Sequence, residues 1–263
     1  MKRASTSLSV IAVVLYAFLY APLVVVVLYS FNAARFGSGW TGFTTKWYGT
    51  LWENSLALSA AKNTLLLAVI STLIATLLGT MLGYGLDRFR FPGKTFFKWF
   101  LYVPIFIPDI VMAVALLLFY SLLRKWLSLF ELGLATMVIA HVTFQIPFVA
   151  IVVRARLVGL DVALEEAARD LGANEWQTFT HVTLPLILPG ILAGGMLAFT
   201  LSLDDFVVSF FTSGPGSTTL PILIYSSVKR GITPDINALS TLIVIASVLG
   251  TLTVTFLQRG KKA

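Results

Sequence analysis

The 263-residue chain contains no cysteine. That excludes disulfides, thiolate nucleophiles and cysteine-bound metals, and it removes one guide to redox compartment. Charge is scarce as well. Asp, Glu, Lys and Arg make up 12% of the residues, against roughly 25% in a soluble domain. There are only two histidines, so a metal site has little support. What fills the chain instead is apolar: 57% of residues are hydrophobic, and the mean hydropathy is +0.89. This composition describes a polytopic membrane protein, and no motif supports a soluble or enzymatic reading. The net charge of +7 need not signal nucleic acid, because Lys and Arg accumulate in cytoplasmic loops beside lipid headgroups.

A helix crosses a bilayer with about 20 mainly apolar residues. Six segments reach that length: Leu8–Phe31, Leu56–Leu86, Phe97–Leu123, Leu132–Val153, Leu186–Phe211 and Ala238–Leu257. The basic start MKRASTSLSV resembles the first part of a signal peptide. The apolar run behind it exceeds the roughly 7–15 residues of a signal core, so a retained first membrane helix is expected. With the N-terminus inside, twelve of the nineteen basic residues fall on inner segments, among them Lys2, Arg3, Arg88, Arg90, Lys94, Lys98, Lys261 and Lys262. Seven fall outside, including Arg35, Lys46 and Arg124. The bias puts both termini in the cytoplasm. The first outer loop carries Trp40, Trp47, Trp52 and Tyr48, which suit an aromatic belt or a docking surface for an external partner. Trp40 and Trp47 could also hold a cation against their faces.

The longest polar stretch runs over 154–185. Within it, Val162–Asp170 reads as a short helix capped by Asp161. Gly172 reads as a stop or sharp turn. A second helical stretch, Asn174–Val182, is expected to end before Pro185. The bland alternative is an amphipathic interfacial loop. Glu166-Ala-Ala168, Gly172 and Val182-Thr-Leu184-Pro185 have the spacing of the EAA signature, and the chain thereby resembles the permease subunits of ABC importers. Val182 stands where that signature has isoleucine. The resemblance implies an all-α membrane protein with six transmembrane helices and the type I importer fold, as one domain over 1–263. It also implies a cytoplasmic coupling helix, seated on a separate ATPase, between the fourth and fifth spans. Glu166 would make the polar docking contact, Ala167 and Ala168 would allow close approach, and Gly172, Leu184 and Pro185 would complete the motif. Pro92-Gly-Lys-Thr95 is a decoy for a phosphate loop, since Arg88 stands where its first glycine belongs and no strand precedes it. Arg88, Arg90, Lys94 and Lys98 read as inner-leaflet anchors.

Three acids, Asp109, Asp204 and Asp205, interrupt apolar spans with no Lys or Arg beside them. Intramembrane carboxylates point to function by default, although buried protonated or hydrogen-bonded acids are the alternative. On a continuous third helix Asp109 lies about 15 Å past Trp99, near the midplane. It follows Pro104 and Pro108, where broken hydrogen bonding suits a cavity. On a continuous fifth helix Ser202, Asp205, Ser209 and Thr212 share one arc, with Asp204 off it. Asp205 therefore reads as facing an aqueous path. Carboxylates without basic partners suit a cationic solute. Polyamine, basic amino acid, organic amine and metal ion all remain open on this ground, and an ion-driven secondary transporter is the rival class. His141 and Gln145, one turn apart, suit interhelical hydrogen bonds. Gly79, Gly83 and Gly85 suit close helix packing.

The run Leu201-Ser-Leu-Asp-Asp-Phe-Val-Val-Ser209, with Ser213-Gly-Pro-Gly216, Thr219-Leu-Pro-Ile222, Pro234-Asp-Ile-Asn-Ala-Leu239, Pro108-Asp-Ile-Val111 and His141-Val-Thr-Phe144, resembles the spermidine/putrescine importer permeases. The resemblance implies half of a translocation path in a bacterial inner membrane. It also implies a second, non-identical permease, two ATPase subunits that bind ATP and Mg, and an external polyamine-binding protein. This chain itself would be non-catalytic.

Overall fold

The computed structural model describes residues 6–34, 39–127, 130–230 and 234–259. Lys2, Arg3, Arg35, Lys261 and Lys262, used above for orientation, lie outside the described residues. Among the described residues the chain is helical, with one isolated bridge between Asn32 and Phe43 in place of any strand. It forms two compact units, residues 1–58 with 223–263 and residues 59–222.

In the first unit, α1 (Thr6–Tyr29) is a uniformly apolar helix whose large side chains stay uncovered. α2 (Lys46–Glu53) packs with α13 (Pro234–Arg259), the helix that follows α12 (Leu220–Arg230), and α13 also contacts α1. The loop after α1 is knotted around buried Asn32. Its Nδ2 donates to the Gly39 carbonyl at 2.8 Å, and its Oδ1 accepts from the Thr41 N–H at 3.0 Å. The Trp47 indole donates to the Asn32 carbonyl at 2.7 Å. Buried polar atoms satisfied in this way hold an otherwise irregular loop in one shape.

The second unit is built around α7 (Leu134–Val158), with α3 (Ser55–Arg88) and α10 (Leu184–Asp204) laid against it. Small residues permit the approach. A Cβ at Gly79 would lie 2.7 Å from the Val149 Cβ, one at Gly83 2.8 Å from the Ala150 carbonyl, and one at Gly190 2.9 Å from the Arg156 Cβ. Gly85 meets nothing closer than the Phe89 ring at 4.0 Å, so its expected packing role is not realised. Helix association without a hydrophobic drive in lipid depends on such close packing.

By length and composition four described helices can cross a membrane, or five if a bent pair counts as one. The sixth expected span falls in α13, of which Pro234–Ala246 qualifies as a shorter apolar helix. Two expected continuous helices are interrupted. The third span divides into α4 (Lys94–Phe100), α5 (Val103–Phe106) and α6 (Asp109–Leu123), with a 105° bend. Ile107 is extended, at ψ 129, because the following Pro108 disfavours helical backbone before it. The fifth span stops at Asp204, Asp205 is extended at ψ 122, and α11 (Val207–Thr212) restarts it. The depths and the polar arc derived from straight helices therefore do not apply.

Candidate functional site

α10 and α11 meet α7 at His141, which is fully buried. Its Nδ1 lies 2.8 Å from the Ser202 Oγ of α10, and its Nε2 lies 3.0 Å from the Ser209 Oγ of α11. The Asp205 Oδ2 is 3.3 Å from the same Nε2. Gln145, one turn along α7, donates to the Ala198 carbonyl at 3.1 Å and to the Ser71 Oγ of α3 at 3.3 Å. Ser71 and Ser202 hydroxyls close the network at 3.4 Å. His141 and Gln145 thus make the interhelical hydrogen bonds that their spacing suggested.

Asp205 is tied down twice over. Its carboxylate accepts the backbone N–H of Val208 at 3.2 Å and of Ser209 at 2.7 Å, capping α11, while facing His141. Its side chain is only 10% exposed. The break at this residue gathers Ser202, Asp205 and Ser209 around His141, pointing into the protein. Exposure among the acids is the reverse of the arc argument: Asp204, the last residue of α10, is exposed, and so is Asp109 in the first turn of α6. Neither Asp109 nor Asp204 has a basic side chain within ion-pair distance among the described residues. Asp109 gains from the positive end of the helix dipole, whereas Asp204 sits at the negative end of its own helix. Trp40 and Trp47 belong to the other compact unit. Trp40 meets Tyr29 edge-on at 6.4 Å, and Lys46 lies 6.0 Å over the Trp47 ring.

The loop 154–185 folds as α8 (Ala163–Asp170) and α9 (Glu175–Thr178), then a π-helical turn over Phe179–Thr183 that runs straight into α10. Asp161 Oδ1 accepts the Ala163 N–H at 3.0 Å, close to the expected cap. Asn174 and Gln177 cap α9 reciprocally, each bond 2.9 Å. The second helix does not end before Pro185. Pro185 occupies the first turn of α10, where a missing N–H is tolerated, and the π turn absorbs the extra residue. Gly172 has φ 89, a left-handed value natural to glycine, and it ends α8. Glu166 and Ala167 are exposed on α8, Ala168 is half-buried beside them, and Leu171 stands 90% exposed at the turn. Leu184 is half-buried and Pro185 exposed.

Sequence reasoning missed Glu165. It is buried, and its Oε1 accepts from Arg88 Nη2 at 2.7 Å and from Thr183 Oγ1 at 2.8 Å. Arg88 is therefore an internal ion-pair partner rather than a lipid anchor. Lys94 likewise turns inward, donating to the Asp87 and Phe89 carbonyls at 3.1 and 2.8 Å. The signal was an acid flanking the motif on the opposite face of a short helix, but its partner lies 77 positions upstream.

Similarity to known proteins is extensive. The model of the family described as "Binding-protein-dependent transport system inner membrane component" matches residues 75–260. The spermidine/putrescine transport system permease protein PotC of Escherichia coli K12 is 44% identical over 247 residues, 94% of this chain and 92% of that protein. The putrescine transport system permease protein PotI of the same strain is 42% identical over 232 residues, 87% of this chain and 82% of its own length. A bacterial ABC transporter structure, involved in import of the acidic polysaccharide alginate, superposes with a TM-score of 0.77 at 22% identity, over 96% of this chain and 94% of that one. At that identity it attests the fold alone. With its apolar helices and its match over most of its length, the chain belongs to the family of binding-protein-dependent transport system inner membrane components.

Proposed function

We propose that the chain is the permease subunit of an ATP-driven importer of polyamines, spermidine or putrescine or both. The observation that carries this reading is the similarity to permeases of that name over nearly the whole of both chains. The fold cannot carry it, since a transporter of an acidic polysaccharide shares the same fold. The carboxylates support it: exposed Asp109 and Asp204, without basic partners among the described residues, would offset desolvation of ammonium groups through charge-assisted hydrogen bonds. Asp205, Ser202 and Ser209 would support the path from behind by fixing the helix break that presents Asp204. Trp40 and Trp47 would contact the cation through their ring faces.

The chain would supply half of the path, with a second, non-identical permease supplying the rest. It would be non-catalytic. ATP and Mg would bind to two copies of a separate ATPase, and an external polyamine-binding protein would deliver the solute. Both termini would be cytoplasmic, and the whole of 1–263 would act as one transmembrane domain. Glu166, Ala167, Ala168, Gly172, Leu184 and Pro185 would form the docking element for the ATPase. Its exposed face, with Leu171 projecting, suits a groove on a partner.

Reconstitution of the assembled complex in vesicles, with each component omitted in turn, tests the reading. Labelled spermidine or putrescine should accumulate only when ATP, ATPase, both permeases and the binding protein are present. Uptake by this chain alone, driven by an ion gradient without ATP, would establish the secondary-transporter reading instead. ATP-driven uptake of a basic amino acid or a metal ion in preference to polyamines would replace the substrate.

A further inference from the structure

We infer that Glu165 and Arg88 are positioning residues that carry movement of α8 into α3, so that one docking helix drives two membrane helices. The inference rests on the proposed coupling role of the loop 154–185. The loop is continuous in sequence with α7 at one end and α10 at the other, and motion can reach those helices through the backbone. α3 has no such continuity. It ends at Arg88, and the Arg88 guanidinium reaches across to the Glu165 carboxylate at 2.7 Å. The same carboxylate oxygen accepts the Thr183 hydroxyl at 2.8 Å. One atom thus joins α8, the end of α3 and the π turn at the root of α10.

The chemistry suits transmission. A charge-assisted hydrogen bond of this length is short and directional, and it resists sliding. Both partners are shielded, with side-chain exposures of 18% for Arg88 and 9% for Glu165, so salt screens the pair far less than a surface pair. The guanidinium also lies at the C-terminal end of α3, where a cation complements the helix dipole. A second contact runs parallel to the first. Tyr84, one turn before Arg88, stands edge-on against Phe179 of the π turn at 5.1 Å, and Phe179 in turn meets Trp176 of α9 at 6.0 Å. Adjacent glutamates on α8 therefore divide the work. Glu166 faces outward to a partner, and Glu165 faces inward to the membrane helix.

The test uses the full complex in vesicles with labelled spermidine, ATP and the binding protein. Glu165→Gln keeps size while removing one charge, and Arg88→Gln removes the other charge on a shorter side chain that still carries N–H donors. Three quantities are read: co-purification of the ATPase, ATP hydrolysis, and spermidine transported per ATP hydrolysed. The expected result is intact assembly and hydrolysis with a transported-per-ATP ratio lowered roughly tenfold, the scale of a lost charge-assisted contact. The double variant should be no worse than either single change, because both remove the same contact. Loss of assembly in either single variant would overturn the inference by making the pair a folding element. So would additive losses, or an unchanged ratio. Glu166→Lys separates the layers. If it abolishes ATPase capture while the Glu165 and Arg88 variants keep a normal ratio, the coupling reading stands and the clasp fails. If all three variants behave as wild type, the coupling reading falls too.

Discussion

His141 sits fully buried where α7, α10 and α11 meet. The imidazole satisfies hydroxyls from two helices and faces the carboxylate that caps α11. Its replacement by alanine would leave Ser202, Ser209 and Asp205 buried with fewer partners. A buried polar group left unsatisfied costs about 1–3 kcal/mol, and low local dielectric makes such networks fragile when incomplete. His141→Ala should therefore lower the thermal midpoint of the purified complex and reduce its yield. A midpoint equal to wild type would show that the network is not what fixes the break at Asp205.

At the scale of elements, the approach of α3 to α7 is set by glycine. A Cβ at Gly83 would meet a backbone carbonyl at 2.8 Å, and backbone cannot yield as a flexible side chain can. Gly83→Leu should sharply lower the amount of assembled complex recovered from membranes, whereas Gly85→Leu should leave it near wild type. Equal recovery of the two variants would contradict the packing account. Much at this scale was legible in the sequence. The apolar runs predicted α1, α3 and α7 closely, because length and hydropathy are local properties. α8 and its glycine stop were legible from cap and turn chemistry. The breaks were not read to their full extent. Pro104 and Pro108 announced irregular backbone, but not a 105° turn. Nothing around Asp205 marks a helix end except the acid itself, and its side-chain partner His141 lies on a helix remote in sequence. The inward turn of Glu165 was hidden for the same reason, as its partners Arg88 and Thr183 are remote in sequence.

For the whole molecule, charge would be the selector. An apolar fold with few charges keeps two exposed carboxylates, Asp109 and Asp204, unpaired among the described residues, at helix ends where the backbone is broken. Half-buried Asp205 and its histidine would hold one of those breaks in shape. The most direct measurement is uptake of labelled spermidine and putrescine by assembled complexes carrying Asp109→Asn, Asp204→Asn or both, across limiting concentrations. Asparagine preserves size and one acceptor oxygen while removing the charge. Removing a charge-assisted contact costs about 1.5–3 kcal/mol, equivalent to roughly a tenfold to hundredfold loss in affinity. The account predicts that each single variant takes up polyamine far more slowly at limiting concentration, that the double variant is slower still, and that assembly and basal ATP hydrolysis persist. Wild-type uptake by the double variant at every concentration would contradict it.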